Sequence, residues 1–178
     1  MNPLARISAA YRSSRGLRWA AELALFLALV LAVDAFQTRD HARGSLPALN
    51  LHTLQGAPVA LASLLGQPLV LVVWAPWCGV CKLEASNVAR ARGWLEPRTK
   101  VVSVAASYQR VADVLGFMRE QAVDYPVLLG DRDFERALGV RAFPSSFVLN
   151  AGGHIVRSTQ GYTSTLGLWW RGALGPLW

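Results

Sequence analysis

The 178-residue chain contains two cysteines, Cys78 and Cys81, in a C-x-x-C spacing. Two thiols cannot build a disulfide framework or a four-thiolate zinc site, but they can form one redox pair. They lie in Trp74-Ala-Pro-Trp-Cys-Gly-Val-Cys-Lys82, behind the unbroken apolar run of residues 69–74 and ahead of a helical segment that can continue to about Leu95. The pair therefore falls where a strand buried on both faces hands over to a helix. A cysteine at a helix N-terminus meets unpaired backbone N–H groups and the positive end of the macrodipole, which stabilise its thiolate. Cys78 is the candidate nucleophile. Cys81 lies one turn deeper on the same face, placed to close the disulfide as the second thiol. Half of a zinc site is the first competing account, with only His41, His52 and His154 as further ligands; two inert core cysteines are the second, and it leaves the strand-to-helix placement unexplained. No metal site is expected.

Other residues gain interest from this pair. Trp77 stands beside Cys78 and is expected to shape the contact surface. Glu84 falls on the helical stripe Cys81, Glu84, Val88, Ala91, Leu95, which turns it toward the face of the second thiol. A partly buried carboxylate there can take the proton of Cys81 as that thiol attacks a mixed disulfide. The plainer account is a first-turn Glu that complements the helix dipole. Gly79-Val80 adds neither positive charge nor a proline between the cysteines, so a moderately lowered Cys78 pKa and a reducing or intermediate potential are expected.

The elements that must hold these residues are legible as pattern. Residues 49–54 and 58–61 flank a Gln55-Gly56 turn as an N-terminal β-hairpin, and residues 62–65 form a helical turn ended by Gly66. After the strand at 69–74 and the cysteine helix come a buried strand at 101–106, a helix at 110–122 and a short strand at 125–129. A helix follows at 131–138, capped by Asp131 and stopped by Gly139. The chain then makes a hairpin of residues 145–149 and 155–159 and a last helix at 163–174, capped by Thr163 or Ser164 and stopped by Gly175-Pro176. This is an α/β pattern with a central mixed sheet flanked by helices.

Composition bounds the rest. The chain is 53% hydrophobic and 16% charged, ample for a core and unlike a disordered protein. A net charge of +7 raises nucleic acid as a partner, but Arg6, Arg12, Arg15 and Arg18 crowd the acid-free first eighteen residues while other basic residues are mixed with Asp and Glu. No nucleic acid is expected. Arg90, Arg92, Arg98 and Lys100 also cluster, with a solvated face as the default and anionic lipid as the alternative. Residues 1–18 read as a cytoplasmic basic segment and 19–36 as a single transmembrane helix or a signal peptide, with residues 23–33 free of polar groups between Glu22 and Asp34. The long basic head favours an uncleaved anchor. Residues 37–45 read as a polar linker and 46–178 as the working domain, delivered to an oxidising compartment where a lone cysteine pair can cycle.

The sequence resembles the thioredoxin superfamily, specifically its TlpA-like branch of membrane-anchored, periplasm-facing thiol–disulfide proteins. The resemblance rests on Leu61-Ala-Ser-Leu-Leu-Gly66, on Trp-Ala-x-Trp-Cys-x-x-Cys-Lys, and on Phe143-Pro144 ahead of an apolar strand. The segment Gly161-Tyr-Thr-Ser-Thr-Leu-Gly167, with Trp169 and Trp170 beyond it, is most similar to the subgroup of suppressor of copper sensitivity protein D. The resemblance implies a thioredoxin-like fold, a cis Pro144 beside the cysteines, and a Phe143 backbone free to pair with a substrate. It also implies an acid at Glu84, while the buried acid of ordinary thioredoxins would fall at Val72; Phe143 departs from the Thr often found before that proline. Partners would be protein thiol and disulfide substrates, a membrane electron donor of the disulfide-reductase type, and the bacterial inner membrane through the N-terminal helix, with no cofactor. A reductant is the first expectation. The alternatives are a disulfide oxidant or isomerase, a copper-binding thioredoxin-like protein using both thiolates and a histidine such as His154, and a thiol peroxidase.

Overall fold

A computed structural model of the chain describes residues 15–46 and 48–175, so Arg6, Arg12 and Pro176 lie outside the described residues. The chain divides into two compact units, Met1–Arg39 and Asp40–Trp178. The first contains helix α1, Arg15–Gln37, whose 23 residues extend about 35 Å at the usual helical rise. Its length and composition suit a membrane crossing, and a signal sequence would pass the same test.

The second unit runs β1 (Gly44–Ser45), β2 (Asn50–His52), β3 (Pro58–Ala60), a 3₁₀ turn (Leu61–Leu64), β4 (Leu69–Trp74), α2 (Gly79–Leu95), β5 (Lys100–Ala105) and α3 (Val111–Glu120). It continues through β6 (Val127–Leu129), α4 (Arg132–Leu138), β7 (Ser145–Leu149), β8 (His154–Gln160) and α5 (Thr165–Leu174). All eight strands form one mixed sheet in the order β1-β8-β7-β4-β5-β6-β2-β3. Strands β4, β5 and β6 are parallel, whereas β7 and β8 join antiparallel. The β2–β3 hairpin attaches through the single pair His52 and Leu129.

Strand β4 sits in the middle because every one of its residues is apolar and buried. Its alternation supplies both cores. Val70, Val72 and Trp74 pack with α2, α3 and α5, while Leu69, Leu71 and Val73 pack with Phe134 and Leu138 of α4 on the opposite face. Helix α2 buries Cys81, Glu84, Ala85, Val88, Ala91 and Leu95, so the stripe expected from sequence is its inner face. Strand β6 starts at Val127, two residues later than the pattern suggests, because Pro126 has no N–H to add to the ladder.

Asp40 to Ser45, expected in the polar linker, belong to the second unit. The N–H of Ala42 donates to the Leu138 carbonyl, and β1 adds to the edge of β8. Gly139, which ends α4 at a φ of +68°, also leaves no room for a side chain against the Asp40 carbonyl. Side chains add to these backbone contacts, with His41 buried against Phe147 and Asp40 paired with Arg141, and none of them needs an apolar periodicity. The last helix is capped by Ser164, whose Oγ accepts from the N–H of Gly167 at 3.2 Å. Gly175 is right-handed rather than the left-handed stop a glycine usually provides.

Candidate active site

Cys78 is the N-cap of α2, and its Sγ accepts a hydrogen bond from the N–H of Cys81 at 3.1 Å. Cys78 and Cys81 are joined as a disulfide with their Cα atoms 5.2 Å apart. The arrangement follows from local sequence: the buried β4 ends at Trp74, and the Ala75 carbonyl accepts the N–H of Cys78 in the turn that starts the helix. Once reduced, Cys78 would keep that backbone donor and the dipole of a 17-residue helix, both of which favour a thiolate. Cys78 is 6% exposed and Cys81 2%, so the first thiol is the more reachable of the two.

Phe143 and Pro144 come to the same place from β7. The Phe143–Pro144 peptide is cis, and the Phe143 carbonyl oxygen lies 3.6 Å from Cys78 Sγ. Trp77 stands on the other side, 66% exposed, with its ring edge-on to Phe143 at 5.6 Å. Its Nε1–H donates to the Ser107 carbonyl at 2.7 Å. Trp77 lines a cleft of about 530 Å³ that includes Ser107, Tyr108 and Glu135, and a second of about 400 Å³ that includes Lys82, Asp113 and Glu120. The structure thus gathers Trp77, Cys78, Cys81, Phe143 and Pro144 at the carboxyl end of β4.

Glu84 is buried to 2% exposure beneath this surface. It does not lie in the first turn of α2, which holds no acid, so pairing with the helix dipole is not its setting. Its Oε1 accepts the N–H of Thr163 at 2.8 Å. Burial pushes its pKa up to about 7 against the lowering effects of Thr163 and, more weakly, Arg171. Burial likewise raises the Tyr125 phenol, and the charge of Glu84 adds to that rise. A carboxyl titrating near neutrality can accept a proton and return it.

Sequence reasoning did not single out Asn87, three residues further along the same buried stripe. Its Nδ2 donates to the Tyr162 hydroxyl and the Thr163 carbonyl, and its Oδ1 accepts from Arg90 and Thr165. A polar residue at stripe spacing from Glu84 was the available signal. Within the basic cluster Arg90 joins this network, Arg92 pairs with Glu96 and Lys100 donates to the Leu64 carbonyl, while Arg90 and Arg98 are exposed, as on a solvated face. Trp169 and Trp170 remain partly exposed, Trp170 beneath the guanidinium of Arg157. His154 donates to or accepts from Ser45 Oγ at 3.2 Å. The register of β4 against β7 places it beyond the Leu69 end of β4, a strand length from Cys78. Among the described residues no group of three or more His, Cys, Asp or Glu converges to hold a metal ion.

The chain is similar to known proteins in sequence and in fold. A family model described as AhpC/TSA family matches residues 43–158. The thiol-disulfide oxidoreductase ResA of Bacillus subtilis is 29% identical over 117 residues, 65% of this chain and 65% of ResA, so the match spans just under two thirds of that relative. The thiol:disulfide interchange protein DsbE of Pasteurella multocida is 28% identical over 151 residues, 75% of this chain and 80% of that one. A solved thiol:disulfide interchange protein of the thioredoxin family from Chlorobium tepidum superposes with a TM-score of 0.62 at 24% identity, covering 75% of this chain and 98% of its own. The fold is therefore thioredoxin-like, as the resemblance implied.

Proposed function

The chain belongs to the AhpC/TSA family, and from that premise we propose that it is a thiol–disulfide oxidoreductase acting on protein substrates through Cys78 and Cys81. The observation that carries the proposal is the placement of Cys78 Sγ between the N–H of Cys81 and the carbonyl of Phe143. In the reducing direction the Cys78 thiolate attacks one sulfur of a target disulfide, and the other sulfur leaves as a thiolate. Cys81, deprotonated with Glu84 as acceptor, then attacks Cys78 Sγ. The mixed disulfide breaks, the substrate departs as a dithiol two electrons richer, and Cys78–Cys81 is left as the disulfide. Phe143 and Pro144 present backbone to the substrate, and Trp77 forms the wall beside it.

The finer assignment is TlpA-like, of the suppressor of copper sensitivity protein D type, with copper tolerance as its setting. Residues 1–18 remain in the cytoplasm, 19–36 cross the bacterial inner membrane once, and the domain faces the periplasm. The apolar 23-residue α1 supports that topology. A reductant in an oxidising compartment needs a membrane electron donor to restore its dithiol. Copper binding through His154 gains no support from a histidine a strand length away from the thiols.

The equilibrium reduction potential of the full chain in detergent tests the direction. A value near or below about −230 mV supports the reductant; a value of about −120 to −180 mV makes the protein an oxidant or isomerase.

A further inference from the structure

Trp77 is largely exposed, yet both ends of its indole are held. Its ring edge meets Phe143, and its Nε1–H donates 2.7 Å to the carbonyl of Ser107. Ser107 has a φ of +50°, a left-handed backbone that serine adopts at a cost. Something must hold it there. The Ser107 N–H donates to Oε1 of Glu135 at 2.8 Å, a hydrogen bond strengthened by the charge of the carboxylate. Glu135 is carried by α4, whose position is locked by the fully buried Phe134 and Leu138 and by the Asp131 cap. The turn before α4 is equally tight, since a Cβ at Gly130 would come within 2.7 Å of Phe134 and Val104. Ser107 is thus gripped through its N–H by Glu135 and through its carbonyl by Trp77.

We propose that Glu135 is a positioning residue for disulfide exchange: by holding Ser107 left-handed it presents the carbonyl that pins Trp77 against Phe143. The pinned indole sets the wall of the cleft that receives the residues flanking a substrate cysteine. A wall fixed in advance has less freedom to lose when a protein substrate docks, so its effect falls on substrate affinity. Glu135 acts through Ser107 and Trp77 and does not touch the sulfurs. The proposal rests on the exchange activity proposed above.

The test uses the full chain in detergent micelles, with insulin as a protein disulfide and hydroxyethyl disulfide as a probe too small to need the wall. The Trp77 indole N–H resonance is identified by its loss in Trp77→Phe. Glu135→Ala is expected to move that resonance upfield and raise KM for insulin about fivefold, the equivalent of one ordinary hydrogen bond, with kcat and the hydroxyethyl disulfide rate unchanged. Glu135→Gln, which keeps an acceptor oxygen, should stay within about twofold of wild type. Adding Ser107→Gly to Glu135→Ala should restore both the resonance and KM, because glycine takes the left-handed backbone without help. An unmoved resonance or an unchanged insulin KM in Glu135→Ala overturns the proposal. So does an equal loss on both disulfides that Ser107→Gly does not rescue. If the wild type exchanges with neither disulfide, the functional assignment itself fails, a result seen before any variant is made.

Discussion

Oε1 of Glu84 accepts a 2.8 Å hydrogen bond from the backbone N–H of Thr163, a residue 79 positions later in the chain. The contact joins the helix that carries both cysteines to the segment leading into the last helix. One backbone donor offsets only part of the cost of burying a carboxylate, and the group is left titrating at about 7.

That raised pKa has a defined sign. Between the ordinary value of 4.5 and about 7 the folded carboxyl holds a proton that the unfolded one has lost. Stability should therefore fall as pH rises through this window and level off above it, by on the order of 3 kcal/mol. Glu84→Gln should remove this component. Denaturant unfolding of both proteins from pH 4 to 8 checks it, and parallel pH profiles would show that Glu84 is not the group responsible. The same substitution should slow release of the mixed disulfide, most strongly above pH 7, where the wild-type carboxylate can accept the Cys81 proton.

Cys81→Ser should leave Cys78 able to attack but unable to be released. Mixed disulfides with partner proteins are then expected on non-reducing gels and should vanish with dithiothreitol. Cys78→Ser should form none. Equal adduct levels in the two variants would reverse the assigned roles of the thiols.

Asn87→Ala strips four hydrogen-bond contacts from the α2–α5 junction, leaving the Thr163 carbonyl without that donor and Arg90 without the Oδ1 acceptor. A loss of about 2 to 3 kcal/mol is expected on urea unfolding, since stranded buried polar groups cost more than the bonds themselves contribute. A change below about 0.5 kcal/mol, the size of an ordinary surface substitution, would show that the network is dispensable.

The start of the folded domain can be tested by truncation. A chain begun at Asp40 keeps the Asp40–Arg141 pair, the Ala42 bond to Leu138 and strand β1; one begun at Leu46 loses all three. The shorter chain should melt several degrees lower, as expected for about 1 to 2 kcal/mol in a domain of this size. Equal melting temperatures would return residues 40–45 to the role of a linker.

Much of the site was legible in the sequence because its signals are local. A C-x-x-C behind six consecutive apolar residues points to a thiol at a helix N-terminus, since such a run is typical of a strand buried on both faces and the chain must turn over its end. The 3.6-residue period likewise placed Glu84 on the inner face of α2, and Asp131 and Gly139 bounded α4 through cap chemistry that needs no distant partner. What periodicity cannot express is which remote backbone group meets a buried side chain. Thr163 beneath Glu84, Ser107 under the indole of Trp77, and Phe143 beside Cys78 are joined across 79, 30 and 65 positions. The last two follow from the parallel and antiparallel registers that bring the ends of β4, β5 and β7 together, and the first from the packing of α5 on α2; register and helix packing are properties of the assembled fold. The same reason explains residues 40–45, which join the domain through backbone hydrogen bonds, the Asp40–Arg141 pair and the buried His41 ring against Phe147, all with partners remote in sequence. Local sequence determined the redox pair and the helix that carries it; tertiary assembly decided what surrounds the pair and therefore how its protons and its partners are handled.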